Sequence, residues 1–114
     1  MPTTSVSFIT PAVSEFLEVN IDTAASGNTT LISGKPGKTI QIFRLFLYPG
    51  GTTNVLFLSK GTRLCGQLNM TATSPALILD HNGNAWMTTA VNEDFIINNS
   101  AAVQIGGKVY YKQS

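Results

Sequence analysis

Clusters of turn-forming residues at short, regular spacing constrain the fold of this sequence more than any other feature. Runs rich in β-branched and aromatic residues alternate with clusters of Gly, Pro, Asn and Ser along the whole chain of 114 residues. Such spacing is typical of all-β sandwiches and barrels. Only residues 11–19 have the spacing of a turn or two of helix. We therefore predict an all-β fold: an antiparallel β-sandwich, jelly-roll-like, with an extended N-terminal arm.

These clusters of turn-forming residues delimit the candidate strands and one candidate hairpin. Residues 39–48 and 54–59, joined through Pro49-Gly50-Gly51, are the best candidate for a β-hairpin. No repeat or linker divides the chain, so we predict an arm over residues 1–16 and a single β-sandwich domain over residues 17–114. The predicted strands cover residues 5–9, 18–22, 29–33, 39–48, 54–59, 63–70, 76–80, 85–89, 94–98 and 102–112.

The composition favours a surface that contacts other proteins. Only 11% of the residues are charged, against roughly 25% in an average soluble domain. The polar surface must therefore come mainly from Thr, Ser and Asn. The net charge of +1 gives no electrostatic footprint for nucleic acid or for an anionic membrane, and we predict neither as a partner.

The N-terminal sequence and the single cysteine bear on where the chain is made. Residues 1–10 contain neither the basic stretch nor the apolar stretch of a secretory signal. Cys65 has no second cysteine with which to form an internal disulfide. The strongest apolar run, residues 40–48, is short and broken by Arg44, so it does not span a membrane. We expect synthesis in a reducing cytoplasm.

Two motifs have a superficial likeness to ligand sites. Residues 34–39 contain Gly-Lys-Thr, but a phosphate loop needs a glycine where Ile32 stands and a helix, not a strand, after it. An ordinary turn is favoured. Residues 80–84 place oxygen atoms at alternate positions, as calcium loops do, but Gly83 comes one residue early and Val91 replaces the required Glu. A polar hairpin loop is favoured there.

The sequence lacks the set of residues that a catalytic site or a metal site requires. His81 is the only histidine and Cys65 the only thiol, so a zinc site has too few ligands. His81 beside Asp80 fits a solvated turn better than part of a nucleophilic site. Cys65 fits a small core or half-buried residue. We predict no enzyme, no metal and no cofactor.

Trp86 and the loop before it are the best candidates for contact with a ligand. The candidate residues are Asp80, His81, Asn82 and Trp86. An exposed indole can stack on a sugar or a base, but stacking on nucleic acid also requires a basic groove. The favoured alternative is an aromatic side chain in the core or in a protein interface.

The charge layout suggests where subunits could meet. Glu15, Glu18 and Asp22 form an acidic stretch that is followed by a basic group without acids. Two solvated faces of one domain explain this layout. The alternative hypothesis is that the acidic stretch docks on the basic group, within one subunit or between neighbours. The basic group comprises Lys35, Lys38, Arg44, Lys60 and Arg63.

Residues 39–48 are apolar on both faces of the predicted strand. Such a strand is central in a sandwich or buries its second face against another subunit. Arg44 within it either extends its charge to solvent at a sheet edge, which is favoured, or pairs with a carboxylate across an interface. Strict alternation places Ile40, Ile42, Arg44, Phe46 and Tyr48 on one face, and Phe43, Leu45 and Leu47 on the other. The candidate interface is this first face together with Glu15, Glu18 and Asp22.

Two long segments carry a resemblance to known proteins. Residues 26–47, SGNTTLISGKPGKTIQIFRLFL, combine a Gly-Lys loop with a long apolar strand. Residues 83–114, GNAWMTTAVNEDFIINNSAAVQIGGKVYYKQS, end in an alternating Val-x-Ile-x-Gly-x-Val-x-Tyr pattern. From Ile21 to the C-terminus, roughly four-fifths of the chain, the sequence resembles small bacteriophage virion structural proteins. These are compact β-sandwich head or tail components, including decoration proteins that coat capsids. The extended arm departs from this pattern.

The resemblance implies a structural function that requires no catalytic residues. It implies a phage virion structural protein, a capsid decoration or head-associated component that acts as a homo-oligomer. A trimer is favoured because three-fold symmetry suits a capsid. The partners would be the protein itself and the major capsid protein or another virion protein, and the location would be the virion. The alternative is a receptor- or glycan-binding module of a tail or head fibre that uses Trp86 and residues 80–84.

Overall fold

The computed structural model describes residues 16–71 and 76–114. Within these ranges the chain forms strands, turns and loops without a helix, which confirms the all-β prediction. No described helix could therefore cross a membrane. The strands are β1 Leu17–Thr23, β2 Gly27–Ile32, β3 Ile40–Pro49, β4 Thr53–Ser59, β5 Thr62–Arg63, β6 Leu68–Met70, β7 Leu77–Leu79, β8 Met87–Thr88, β9 Phe95–Asn99 and β10 Ile105–Gln113.

Two predictions concern the start of the chain. The predicted strand at residues 5–9 and residues 1–15 of the predicted arm lie outside the described residues. The helical turn considered for residues 11–19 is wrong for residues 17–19, because these belong to β1. There Val19 and Ile21 alternate with exposed Glu18 and Asn20, a period of two that suits a strand with one buried face.

The strands form two antiparallel sheets that pack together. The first sheet has the order β1-β10-β3-β7, with β8 also paired to β3. The second sheet has the order β2-β9-β4-β5, with β6 also paired to β4. The predicted β-sandwich is thus confirmed, and its core lies between the inner faces of the sheets. The stacked rings of Phe57 and Phe95, with centroids 5.5 Å apart, belong to this core.

A β-bulge in β3 changes which residues face the core. In the pairing with β10, Arg44 lies opposite Tyr110 and Ile42 lies opposite Tyr111, so Phe43 is an extra residue without a partner of its own. Inward residues are Ile40 and Ile42 before the bulge, then Leu45 and Leu47 after it. The predicted common face of Ile40, Ile42, Arg44, Phe46 and Tyr48 is therefore wrong.

The predicted hairpin between residues 39–48 and 54–59 is also wrong. β3 pairs with β10, β7 and β8 in the first sheet, whereas β4 pairs with β9, β5 and β6 in the second. Residues 50–52 carry the chain from one sheet to the other, and the Gly50 amide donates to the Gln104 carbonyl, 2.7 Å away. β3 and β4 each have one apolar face, and both faces are buried because the two strands lie on opposite sides of the core.

The predicted strand at residues 63–70 is interrupted. β5 and β6 pair with different parts of β4, and the segment between them includes half-buried Leu64 and Cys65. The Leu64 amide donates to the Phe57 carbonyl, 2.8 Å away. This irregular segment lines a cavity together with residues of β7 and β8.

Candidate functional site

The outer face of the first sheet exposes large apolar side chains. Phe46 is 42% exposed, Tyr48 59% and Ile78 67%. Phe46 lies opposite Ile78 on β7 and opposite Lys108 on β10, so these side chains share the middle of the face. We call Phe46, Tyr48 and Ile78 the outer apolar patch. With Arg44, Leu47 and Ala76 they line a surface cleft of about 320 Å³.

Ion pairs flank the outer apolar patch. Arg44 Nε lies 3.5 Å from Asp80 Oδ1, and its guanidinium carbon lies 5.4 Å from the centre of the Tyr110 ring. Lys108 Nζ lies 3.2 Å from Glu18 Oε1. Because these groups remain partly exposed, each pair contributes less than about 1 kcal/mol to folding. An apolar centre with a charged margin is the usual layout of a protein–protein interface.

The structure divides the predicted interface residues into separate places. Arg44, Phe46 and Tyr48 lie on the outer face. Arg44 stays partly exposed there and pairs with Asp80 of its own chain, so the pair with a carboxylate across an interface stays a prediction. Ile40 and Ile42 are fully buried between the sheets, so they are not surface residues of the folded chain. Alternation alone would have grouped all five, and the bulge at Phe43 separates them.

The acidic stretch does not contact the predicted basic group within the described chain. Glu18 pairs with Lys108, which is not a member of that group. Asp22 Oδ1 accepts a hydrogen bond from Gln104 Nε2, 2.7 Å away. Glu15 lies outside the described residues. Docking between neighbouring subunits stays a prediction.

Trp86 lies at the edge of a second concavity. Its side chain is 44% exposed, its indole N–H donates to the Asp80 carbonyl (2.8 Å), and its backbone amide donates to the Ile42 carbonyl (2.7 Å). The adjoining cavity has a volume of about 190 Å³. It is lined by Phe57, Leu64, Cys65, Leu68, Leu77, Leu79, Trp86 and Met87. Since these side chains are apolar apart from one thiol, the cavity suits an apolar group better than a hydroxyl-rich sugar.

The four predicted ligand-contact residues do not converge on one pocket. Asp80 holds Arg44 through its carboxylate and Trp86 through its carbonyl. Asn82 Oδ1 accepts from the Asn84 amide, 3.0 Å away, in a turn where Gly83 has a φ of 96°. These hydrogen bonds form a polar loop, but it is not the predicted hairpin loop, because β7 and β8 each pair with β3 and not with each other. Among the described residues, no group of three or more His, Cys, Asp or Glu side chains could hold a metal ion.

His81 belongs to a separate aromatic cluster on the outer face. The Phe16 and Phe43 rings stack with centroids 4.9 Å apart, and His81 lies 5.2 Å from Phe16. Lys112 Nζ lies 5.3 Å from the centre of the Phe16 ring, within range of a cation–π contact. Sequence spacing did not reveal this cluster because alternation places Phe43 on the face of Leu45 and Leu47, whereas the bulge turns half-buried Phe43 to the outer face.

The Gly-Lys-Thr segment is a turn stabilised by the protein itself. The Gly34 amide donates to Asp94 Oδ1 and the Gly37 amide donates to Asn92 Oδ1, each at 2.6 Å. These amides are therefore not directed at a phosphate. Gly37 has a φ of 75°, and β3 follows instead of a helix. The turn favoured from the sequence is confirmed.

Ile78 and the Trp86 cavity are the features that sequence reasoning missed. Ile78 alternates with half-buried Leu77 and Leu79, a signal of one outward side chain that the short β7 leaves weak. The cavity depends on contacts between distant segments. Comparison with protein-family models, with curated proteins and with solved structures finds no match to this chain. The resemblance to phage structural proteins therefore receives no support from these comparisons, and a function must be argued from the fold and the surface.

Proposed function

We propose that this protein is a structural component of a bacteriophage particle, a capsid decoration or head-associated protein that acts as a homo-oligomer. The outer apolar patch carries the proposal. Phe46, Tyr48 and Ile78 expose apolar surface on a sheet face whose nearby charges are held in the Arg44–Asp80 and Lys108–Glu18 ion pairs. Burial of such a patch against a neighbouring subunit stabilises an assembly without any chemical step. No catalytic role is required.

The strand order supports a jelly-roll interpretation. Along the chain, β1, β3, β7 and β10 join the first sheet, and β2, β4, β5 and β9 join the second. The first and last strands are neighbours, and the chain passes repeatedly between the sheets, as in two interleaved Greek keys. Jelly rolls occur in viral capsid proteins and also in lectins. The fold therefore agrees with both candidate functions, and the surface must decide between them.

The native mass tests the role of the outer apolar patch. We expect light scattering after size exclusion to give the same closed oligomer at two protein concentrations. Ile78→Asp should weaken association at least about 100-fold, because it places a charge in an apolar interface. Val91→Asp is the matched control, since Val91 is 50% exposed in the turn before β9 and should leave the mass unchanged. An oligomer that survives Ile78→Asp would contradict an interface at this patch.

Binding to particles tests the virion role itself. The wild-type protein should co-sediment with empty phage heads at a fixed stoichiometry, and Ile78→Asp should reduce that binding while Val91→Asp should not. A wild-type protein that stays monomeric and fails to bind heads would remove the proposal.

A receptor- or glycan-binding module is the second candidate function. The exposed indole of Trp86 favours it, because an indole ring can stack on a sugar, whereas the apolar cavity beside it does not add to the argument for a glycan. Trp86→Ala should then abolish binding to host cells or to a glycan array while the native mass stays unchanged. Val91→Ala is the control, because Val91 is exposed in the turn before β9 and lines neither the cavity nor the outer apolar patch. Equal binding by the wild-type protein and Trp86→Ala would exclude Trp86 as the contact.

A further inference from the structure

The direction of β1 determines where the preceding residues leave the first sheet. Leu17 lies opposite Tyr111, which lies opposite Ile42, and at the other end Thr23, Ile105 and Pro49 share one level. β1 therefore runs parallel to β3. The chain enters β1 from the Ile42 end of the sheet, whereas the outer apolar patch lies toward the Pro49 end.

Phe16 places the start of the described chain on the outer face. Its ring stacks on Phe43 at an interplanar angle of 11°, and Lys112 lies above it. The described chain thus begins on the same face as the outer apolar patch. Because β1 points from the Ile42 end toward the Pro49 end, residues that precede Phe16 must reverse direction to cover the patch of their own subunit. A neighbouring copy whose patch lies beyond the Ile42 end can be reached without that reversal.

The residues before Phe16 are chemically suited to the cleft. Residues 1–14 contain no charged side chain, and Val6, Phe8, Ile9 and Val13 are apolar. The cleft of about 320 Å³ has an apolar lining apart from Arg44, whose charge is paired with Asp80. An uncharged apolar segment can therefore cover the cleft without burying an unpaired charge.

We propose that residues 5–13 of one copy pack across the outer apolar patch of a second copy. The inference rests on the homo-oligomer of the proposed function and names the segment that holds it together. An extended segment of this length spans about 30 Å, and the part of β3 from Arg44 to Tyr48 spans about 13 Å. The length is therefore sufficient. Exchange of such segments links subunits at little cost, because the same contacts are repeated at each junction.

Cysteine cross-linking tests this contact in the full-length chain. In a Cys65→Ser background, Ser7→Cys and Ala76→Cys should form a disulfide between chains, giving covalent dimers or larger species on a non-reducing gel. Ala76 is suited because it is exposed and lines the cleft. The control pairs Ser7→Cys with Ala90→Cys, an exposed position in a loop that contacts Ser59 of the second sheet. A disulfide within one chain, or no excess over the control, would overturn the inference.

Native mass separates this inference from the proposed function. Phe8→Ser combined with Ile9→Ser should convert the oligomer to monomer, whereas Thr3→Ser combined with Thr4→Ser should not. An unchanged oligomer in the Phe8→Ser, Ile9→Ser variant would overturn the exchange of segments and leave the proposed assembly standing. A wild-type monomer that does not bind phage heads would overturn both.

Discussion

Gly107→Ala should lower the free energy of unfolding by about 3 kcal/mol or more. Gly107 lies in β10 opposite Leu47 of β3. A Cβ added there would lie 2.8 Å from Leu47 Cα and 2.9 Å from the Phe46 carbonyl carbon, and it would clash with the Phe46 carbonyl oxygen. These are backbone atoms in a central pair of strands, so the strands themselves must separate. Urea unfolding followed by the fluorescence of Trp86, the only tryptophan, measures the loss.

Gly106→Ala is the matched control for Gly107→Ala. A Cβ at Gly106 would meet no atom within 4 Å. The substitution should therefore leave stability unchanged or raise it by about 0.5 kcal/mol, because alanine restricts the unfolded chain. Similar unfolding midpoints for Gly106→Ala and Gly107→Ala would contradict the close approach of β10 to β3.

The strand positions could be predicted because their signals are local. Period-two alternation and flanking turn residues located β1, β2, β3, β4, β9 and β10 to within a few residues. The turn at Gly37 was predictable for the same reason, since Gly-Lys-Pro-Gly interrupts two β-rich runs. Local sequence is sufficient to locate strands and turns, because β-propensity and the alternation of apolar and polar residues are set by residues within a few positions of one another.

The pairing of the strands could not be predicted from local signals. Pro49-Gly50-Gly51 has the composition of a hairpin turn, yet β3 and β4 lie in different sheets. Which strands become neighbours depends on contacts between residues far apart in sequence, such as Thr23 with Ile105. The bulge at Phe43 is a similar case. It arises from the register of β3 against β10, and it moves Phe46 and Tyr48 away from Ile40 and Ile42.

The candidate site was therefore only partly predictable. Arg44, Phe46 and Tyr48 were identified because an apolar run wider than one buried face leaves outward side chains. Ile78 joins them only because β7 pairs with β3, and the sequence does not specify that pairing. Trp86 was identified by residue type, but its cavity depends on Phe57 and Leu64 from another part of the chain.

Phe95→Ala should have an effect as large as that of Gly107→Ala, by the opposite physical mechanism. Phe95 has no exposed surface and lies in β9 between Ile32 of β2 and Ser59 of β4. Its ring stacks on Phe57 at an interplanar angle of 3°. Truncation removes this buried surface and leaves a cavity, which should lower the free energy of unfolding by about 3–5 kcal/mol. Urea unfolding at a fixed protein concentration measures the change.

Phe46→Ala makes the same truncation as Phe95→Ala on the outer face, so the two variants together distinguish a role in core packing from a role in assembly. Phe46 is 42% exposed on the outer face, so its truncation should cost the folded monomer less than about 1 kcal/mol. If the outer apolar patch is an interface, the same substitution should lower the native mass, because the contact it loses lies between subunits. Phe95→Ala should show the reverse behaviour: a lower unfolding midpoint, with association retained wherever the chain stays folded. Equal losses of stability for the two variants would mean that Phe46 is part of the core and not of an interface.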